Sequence, residues 1–429
     1  MTKEIKVLAK KQIFFEAEPK QSIWFWPSYA EPEGKRMIGA LTLKRHGPVK
    51  DSIFTEKHYY EELIQIVSSN DNGASWEKGE ILWDDRSGYN GAKEFYIPIY
   101  ILDPNNGLLL ELRGISLVNS CEGTHQFMGA MNLGARTYRM FYRFSADGAR
   151  SWSRLKQVIH TGSEFDSENW LPGITYGFNS ASYGMPRFAV NGDGEIVLPI
   201  NKFTTFDNKR DTKYTDHGVS IIAGFLRGKW KEDLSDIEWR ASEEYMDAPD
   251  RPSGPCEADI ISLGGNTLFS TFRSKGSKKI SVPVPSVRMC SFSKDGGKTW
   301  GKLIPLIYDD GETVWAAASP SEFIQSPNTG KIYWVANIQN EPVYSAYPRS
   351  PLSIAEFDPE KQCLIRATVS HFWKKPEEMD PSDRRYSNFG CYLDRETGEF
   401  VFTMSEQWKI SREDYTADAI GIRIKLQED

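Results

Sequence analysis

The motif Ser-x-Asp-x-Gly-x-x-Trp occurs twice without deviation, at residues 69–76 and 293–300. A third copy at residues 145–152 keeps the serine, aspartate and tryptophan but has Ala149 in place of the glycine. In this pattern the aspartate side chain accepts hydrogen bonds from nearby backbone N–H groups, and the glycine adopts a positive φ. The tryptophan packs the turn against its own sheet. The motif therefore predicts a tight turn between two β-strands, with a structural and not a catalytic role.

The spacing of the tryptophans predicts the length of a repeated unit. Trp76 and Trp152 are 76 residues apart, and Trp152 and Trp300 are 148 apart, which is twice 74. Trp230 lies near the middle of the longer interval, where we expect a turn that has lost its signature. A unit of about 74 residues divides the 429-residue chain into close to six, each long enough for four short antiparallel strands. We therefore predict an all-β fold, a six-bladed β-propeller that spans residues 1–429 as a single domain.

Short runs of β-branched and aromatic residues support this interpretation. Such runs follow glycine-containing turns at residues 194–200, 267–272 and 398–403. No long stretch shows the periodicity of a helix. The alternative folds are a large β-sandwich and a two-domain all-β chain.

Composition restricts the classes of partner. The chain is 39% hydrophobic and 13% aromatic, which is typical of a soluble globular protein. Its apolar stretches are strand-length, well below the ~20 residues that a bilayer requires, so we expect no membrane span. The net charge is −7 without a basic cluster, which argues against nucleic acid as a partner.

Cysteine usage and the N-terminal residues bear on cofactors and location. The five cysteines are scattered and lack the spacing of metal ligands, so we expect reduced thiols, no metal and no cofactor. They are Cys121, Cys256, Cys290, Cys363 and Cys391. The first residues lack the apolar region of a signal peptide, which predicts a cytoplasmic location for the chain as given. A trimmed leader would make a secreted or periplasmic location the alternative.

Together with its repeats, the chain resembles the sialidase (neuraminidase) family, whose propellers carry BNR or Asp-box turns of this kind. The resemblance runs from about residue 24 to the C-terminus. It is most specific at residues 385–389, Arg-Tyr-Ser-Asn-Phe, which Glu406 follows 20 residues after Tyr386 at the end of a predicted strand. In the family the tyrosine attacks the anomeric carbon and the glutamate takes its proton. The resemblance therefore implies these roles for Tyr386 and Glu406.

A tyrosine nucleophile has a physical rationale on such a substrate. The anomeric carbon of a sialic acid already bears a carboxylate, and a carboxylate nucleophile at ~4 Å would be repelled by about 4 kcal/mol at an effective dielectric constant of 20. A neutral phenol avoids this repulsion. Because a phenol ionises near pH 10, it needs a neighbouring base at neutral pH, and Glu406 is the residue that the resemblance offers.

Three further residues match the family in the fourth and fifth blades. Glu257 begins one predicted strand and Arg273 lies near the end of the next. Arg349, between two prolines, resembles an arginine of the clamp that holds the substrate carboxylate. The planar fork of arginine suits this task because it binds a carboxylate through two parallel hydrogen bonds. The resemblance implies a catalytic role for Glu257 and substrate binding by Arg273 and Arg349.

In the first blade the family places an arginine and, shortly after it, the aspartate that acts as acid/base. Arg45 and Asp51 fit these positions. A loop carboxylate can protonate a glycosidic oxygen when burial or a neighbouring anion raises its pKa. The resemblance therefore implies substrate binding by Arg45 and acid/base catalysis by Asp51.

The chain departs from the family where the first clamp arginine is expected, in an Arg-Ile-Pro sequence. Residues 22–28 read Ser-Ile-Trp-Phe-Trp-Pro-Ser instead. Loss of one charge-assisted partner is expected to weaken carboxylate binding by roughly 1.5 to 3 kcal/mol. Lys20 or Arg36 could replace the arginine, or the substrate could differ from an ordinary sialoside. Trp26 could stack on a sugar face, or the aromatic residues could belong to the core.

The resemblance implies an exo-acting glycoside hydrolase that removes a terminal sialic acid or related 2-keto-3-deoxy acidic sugar with retention of configuration. One alternative is a propeller hydrolase or lyase acting on a uronic-acid polysaccharide, with His46, His58 or His125 as acid or base. The other is a carbohydrate-binding propeller without catalysis. All three hypotheses have a glycan or an acidic sugar as the partner.

Overall fold

The structure is a computed structural model that describes most of the chain. The described residues are 4–46, 60–84, 93–95, 98–118, 136–174, 179–205, 219–278, 283–378, 384–409 and 414–427. They form six antiparallel sheets of four or five strands and one turn of 3-10 helix at Arg366–Thr368. The predicted all-β, six-bladed propeller is confirmed.

Each of the six sheets is one blade, and five of them are built from strands that are consecutive in the chain. Blade 1 consists of β2 (Gln21–Tyr29), β3 (Met37–His46), β4 (Tyr60–Ser69) and β5 (Glu77–Asp84). Blade 2 consists of β6 (Lys93–Phe95), β7 (Ile99–Leu102), β8 (Leu109–Val118), β9 (Arg136–Ser145) and β10 (Lys156–Gln157). Blade 3 consists of β11 (Ser180–Tyr183), β12 (Ala189–Val190), β13 (Ile196–Thr205), β14 (Val219–Trp230) and β15 (Ile237–Ala241).

The remaining three blades carry most of the residues that matter below. Blade 4 consists of β16 (Cys256–Ser262), β17 (Leu268–Ser274), β18 (Val287–Ser293) and β19 (Ile304–Pro305). Blade 5 consists of β20 (Glu322–Gln325), β21 (Ile332–Ala336), β22 (Leu352–Asp358), β23 (Cys363–Leu364) and β24 (Ser370–Trp373). Blade 6 consists of β25 (Gly390–Leu393), β26 (Phe400–Ser405), β27 (Ala419–Gln427) and, as its outer strand, β1 (Lys6–Phe15).

Blade 6 joins the two ends of the chain in one sheet. Strand β1 pairs antiparallel with β27, from Lys6 opposite Gln427 to Phe15 opposite Ala419. The register shifts once, between Ile13 and Phe15. Because the first strand completes the last blade, the backbone hydrogen bonds of this sheet close the ring of blades.

The repeated motif connects the third and fourth strands of blades 1, 2 and 4. In each copy the aspartate accepts a hydrogen bond from the backbone N–H four residues later, at 2.9 Å for Asp71, 2.8 Å for Asp147 and 2.9 Å for Asp295. In blade 3 the equivalent connection runs from Lys231 to Asp236, directly after Trp230. The tryptophan spacing therefore located the corresponding turn correctly in all four blades.

Apolar side chains fill the spaces between neighbouring blades. Because side chains alternate between the two faces of a strand, each blade contributes one row to the space on either side. Between blades 4 and 5, for example, Phe269 and Cys290 pack with Trp334 and Phe357. Polar residues with a role in function are therefore expected at the strand ends, beyond these rows.

The antiparallel order defines two ends of the ring. First strands start, second strands end and third strands start at one end, which we call the site face. The motif turns, which connect third to fourth strands, lie at the opposite end, which we call the turn face. Glu257, Arg273 and Arg349 all lie at strand ends or connections of the site face, as do Tyr386 and Glu406.

Candidate functional site

Blade 4 contributes an ion pair and a second arginine to the site face. Glu257, near the start of β16, has a positive φ of 44°, and the register with β17 shifts between Cys256 and Asp259. Its carboxylate lies 2.6 Å from Nη1 of Arg273. Burial raises the pKa of Glu257, but the neighbouring arginines, Arg273 foremost and then Arg349 and Arg288, together outweigh burial, and the net pKa lies below its usual value. Glu257 is thus held as a carboxylate that orients Arg273.

Arg288 lies directly opposite Arg273 on the neighbouring strand β18. Its side chain is 1% exposed and lies over the Trp334 ring, 5.7 Å from the ring centroid. In the described part of the chain its three guanidinium nitrogens have no hydrogen-bond partner. Burial, together with the positive charge of Arg273, lowers the pKa of Arg288 to about 10. Like charges directly opposite one another destabilise a sheet, so this pair needs a compensating anion.

Arg349 connects blade 5 to the segment before β25. Its Nη1 donates to Oγ of Ser387 and to Oδ1 of Asn388, both at 2.8 Å, and its Nε donates to the carbonyl of Ala346 at 3.0 Å. The residue is 5% exposed. Burial, followed by the charges of Arg385 and Arg273, lowers its pKa to about 9. Arg349 is therefore a fixed cation whose nearest charged neighbours include two further arginines.

Arg385 completes a group that we call the arginine cluster, namely Arg273, Arg288, Arg349 and Arg385. The guanidinium of Arg385 lies 4.1 Å from the ring centroid of Trp408 and 5.2 Å from that of Tyr347. It also donates to Oε1 of Gln407 at 2.6 Å and to the hydroxyl of Tyr347. Cation–π contacts and neutral acceptors hold Arg385 without cancelling its charge.

Tyr386 and Glu406 lie close together in blade 6, each only 2% exposed. The backbone N–H of Tyr386 donates to the carbonyl of Arg349 at 2.9 Å, which ties the tyrosine to the arginine cluster. Nη1 of Arg384 lies 3.3 Å from the Tyr386 hydroxyl and 3.3 Å from Oε1 of Glu406. Burial raises the pKa of Tyr386, although Arg384 opposes the rise. At neutral pH the phenol is therefore protonated.

The site combines a surplus of buried positive charge with a phenol and a carboxylate at its edge. Glu257 is the carboxylate that contacts the arginine cluster directly in the described residues. Arginine forks suit planar anions such as carboxylates. The arrangement can bind an anionic group and hold it next to Tyr386. No cluster of metal-binding side chains is found among the described residues, and no helix there could span a membrane.

Comparison with known proteins identifies the fold. No protein-family model matches the sequence, and no curated protein matches it. A solved structure of a protein of unknown function from Dyadobacter fermentans is 13% identical, with 98% of this chain and 99% of that one covered at a TM-score of 0.61. A mutant of the NanB sialidase from Streptococcus pneumoniae is 11% identical, with 97% and 71% covered at a TM-score of 0.58. The Trypanosoma rangeli sialidase is 12% identical, with 97% and 59% covered at a TM-score of 0.55.

The chain has the sialidase fold. Identities of this size establish the architecture of the backbone and do not establish an activity. What the sialidase fold contributes is a frame in which residues from blades 4, 5 and 6 meet at one end of the ring.

Not every residue predicted for substrate binding joins the arginine cluster. Arg45, at the end of β3, pairs with Glu18, and both side chains are more than half exposed. Trp26, in the middle of β2, lines a cavity on the ring axis and packs against Gly390 of blade 6. Phe25, beside it, belongs to the core, where it contacts the Trp76 ring edge-on.

Of the two cations considered as replacements for the missing arginine, Lys20 lies at the site face and Arg36 at the opposite end of the ring. Arg36 donates to the carbonyl of Gly148 and to Asn70, which places it at the turn face and excludes it from the site. Lys20 precedes β2, and its backbone N–H donates to Thr416. The proposed replacement by Arg36 is therefore wrong.

Several predicted residues lie outside the described residues. Asp51, His58 and His125 are among them, and the side chain of His46 is also not described. The acid/base role of Asp51 and the role of histidines in uronic-acid chemistry remain predictions.

The sequence analysis assigned no role to four residues at the site face: Lys11, Arg288, Arg384 and Arg385. Arg288 carries a signal in retrospect, because it is a lone charge in a strand whose neighbours Val287 and Met289 are apolar. Arg384 and Arg385 directly precede the tyrosine. Lys11 carries no local signal, because it reaches the site from the other end of the chain.

A cavity of about 140 Å³ lies on the ring axis and is lined by residues of all six blades. Arg187 lies 3.1 Å from Glu322 and 3.9 Å from Asp259 there. Burial raises the pKa of Asp259 to about 7 and that of Glu322 to about 8. The axial cavity thus has a surplus of acids, in contrast to the arginine cluster.

Proposed function

We propose that the protein is an exo-acting glycoside hydrolase of the sialidase type. It would release a terminal sialic acid or a related 2-keto-3-deoxy acidic sugar through a covalent tyrosyl intermediate, with retention of configuration. The observation that carries the proposal is the environment of Arg349. This cation is buried beside Arg273 and Arg385 and is tied through one backbone hydrogen bond to Tyr386. An anionic sugar bound there would have its anomeric carbon close to the phenol.

The charges support a tyrosine as the nucleophile. Because burial raises its pKa, Tyr386 enters the reaction as a neutral phenol and does not repel the substrate carboxylate. Its proton must be removed as the bond to the anomeric carbon forms. Glu406 is the nearby carboxylate, connected to the phenol oxygen through Arg384.

The proposed reaction has two steps that balance. In the first, the Tyr386 oxygen bonds to the anomeric carbon, its proton passes to Glu406, and the bond to the leaving group breaks as Asp51 protonates the departing oxygen. In the second, the oxygen of a water molecule bonds to the same carbon while Asp51 takes a proton from that water, the bond between the carbon and the Tyr386 oxygen breaks, and the phenol regains its proton from Glu406. Arg273 and Arg349 would hold the substrate carboxylate, and Glu257 would orient Arg273.

A panel of fluorogenic α-ketosides tests the proposal. The panel contains N-acetylneuraminic acid, N-glycolylneuraminic acid, the deaminated analogue and the eight-carbon ulosonic acid. We expect release from at least one ketoside and its loss in Tyr386→Phe, with thermal stability nearly unchanged. Undiminished turnover in Tyr386→Phe would rule out the tyrosyl mechanism.

A second candidate, glycan binding without catalysis, is favoured by one observation. The first blade has Trp24, Phe25 and Trp26 in the region where a catalytic member of the family is expected to carry the first clamp arginine. This candidate predicts that the free acidic sugars bind in calorimetry while no ketoside of the panel is cleaved. Turnover that disappears in Tyr386→Phe would eliminate it.

A further inference from the structure

Glu406 is contacted by two cations from distant parts of the chain. Nζ of Lys11 lies 2.5 Å from Oε2, and Nη1 of Arg384 lies 3.3 Å from Oε1. A carboxylate that is 2% exposed would be strongly destabilised without such partners. The two cations therefore account for how Glu406 is buried as an anion.

The alternation of side chains explains why Lys11 arrives at this carboxylate. Two rows of side chains share the face of blade 6 that packs on Tyr386. They are Val7, Ala9 and Lys11 in β1, and Phe402, Met404 and Glu406 at the end of β26. In each row the polar residue follows two apolar ones toward the site face. Lys10, one position earlier, points to the other face and pairs with Glu399.

Arg384 bridges the Tyr386 hydroxyl and the Glu406 carboxylate. One of its nitrogens, Nη1, contacts both the Tyr386 hydroxyl and Glu406, while Nη2 donates to the carbonyl of Lys409 at 3.0 Å. The guanidinium is anchored at its far end and spans phenol and carboxylate at the near end. A donor at the phenol oxygen also stabilises the phenolate that forms as the proton leaves.

We propose that Lys11 and Arg384 are positioning residues for the pair Tyr386 and Glu406, and that the N-terminal strand β1 is therefore part of the active site. The inference rests on the proposed function, because it assigns Glu406 the task of base. The first blade has Trp24, Phe25 and Trp26 in the region expected to carry an arginine. Lys11 of blade 6 would thus add a cation to a site that lacks one from the first blade. Lys11 acts through Glu406, so it affects the proton transfer more than the binding of the sugar.

Substitutions of Lys11 test this on turnover of a fluorogenic α-ketoside across pH. We expect Lys11→Met to lower kcat by about tenfold to a hundredfold, part of what a general base contributes, with little change in KM. The acidic edge of the pH profile should move, and Lys11→Arg should restore both kcat and the profile. Lys10→Met is the matched control and should behave as wild type. A Lys11→Met variant with wild-type kcat and pH profile would overturn the inference.

Arg384→Gln tests the other cation by the same measurement. We expect a larger loss of kcat than in Lys11→Met, because both the phenol and Glu406 lose a contact. Arg384→Lys should recover only part of the activity, since an ammonium does not reproduce the geometry of the guanidinium. Full activity in Arg384→Gln would contradict its assignment.

Urea unfolding separates failure of this inference from failure of the proposed function. Lys11→Met should lower the urea midpoint by leaving Glu406 buried without its nearest cation, and Glu406→Gln in the same chain should restore it. Absence of turnover in wild type would remove the proposed function, and the midpoints would then decide the pairing alone. Additive losses in the double variant would show that Lys11 does not position Glu406.

Discussion

Polar side chains at the two ends of the propeller differ in how fully they are hydrogen-bonded within the protein. At the turn face, Asp295 accepts from the backbone N–H and hydroxyl of Thr299 at 2.9 and 2.6 Å and from the hydroxyl of Ser293 at 2.8 Å. At the site face, Arg288 is buried opposite Arg273 without a hydrogen-bond partner in the described residues. The turn is satisfied by residues within one motif. The site is assembled from three blades and retains positive charge that an anion from outside would neutralise.

The largest expected effect comes from removing the Glu257 carboxylate, which contacts the arginine cluster. Glu257→Gln leaves Arg273 without its anion and opposite Arg288, so we expect the free energy of unfolding to fall by about 3 to 5 kcal/mol. Equilibrium urea unfolding measures this. Glu62→Gln is the control, because Glu62 pairs with Lys44 at 3.1 Å, and the residues directly opposite Lys44 on its two neighbouring strands are Ser22 and Glu62 itself, not a second cation. Equal losses of stability in the two variants would mean that the position of Arg288 opposite Arg273 adds no destabilisation.

The next effect should have the opposite sign. Arg288→Met replaces a buried cation that lacks a hydrogen-bond partner with an apolar side chain of similar length, so we expect stability to rise by about 1 to 4 kcal/mol. Affinity for the acidic sugar, measured by calorimetry, should fall, because one charge of the cluster is lost. A variant that gains stability and keeps its affinity would show that Arg288 plays no part in anion binding.

The same residues show how much of the fold and of the site the sequence predicts. The spacing of the motif predicted the number of blades, because each turn is encoded within eight residues. Glu257, Arg273, Arg349, Tyr386 and Glu406 lie at strand ends or connections of the same face, and the roles that the resemblance implies for them remain predictions. The pairing of Arg273 with Arg288 depends on strand register, and the contact of Lys11 with Glu406 depends on closure of the ring. Neither is visible in local sequence.

At the turn face a smaller and purely structural effect is expected. Asp295→Ala removes three hydrogen bonds that are made within one motif, and we expect a loss of about 1 to 2 kcal/mol in the free energy of unfolding. Binding of the acidic sugar and any turnover should stay as in wild type, because the turn lies at the opposite end of the ring. Loss of affinity together with stability would break the distinction between the two faces.

The dependence of stability on pH sharpens the comparison, because carboxylates in two regions are shifted in opposite directions. Hydrogen bonds from Ser75 lower the pKa of Asp71 at the turn face to about 2, whereas burial raises that of Asp259 to about 7 and that of Glu322 to about 8 in the axial cavity. Asp71 contributes stability that is present above its unfolded pKa near 4 and is lost as the pH falls toward 2.

The axial carboxylates have the reverse effect. Between their unfolded pKa values near 4 and their folded values, the native state binds more protons than the unfolded state, so stability falls as the pH rises. One such group changes the free energy of unfolding by about 1.4 kcal/mol per pH unit within this window. We therefore expect a maximum of stability at mildly acidic pH in urea titrations. Glu322→Gln should flatten the decline above the maximum and Asp71→Asn the decline below it. A profile that Glu322→Gln leaves unchanged would mean that the axial cavity admits enough water to solvate its carboxylates.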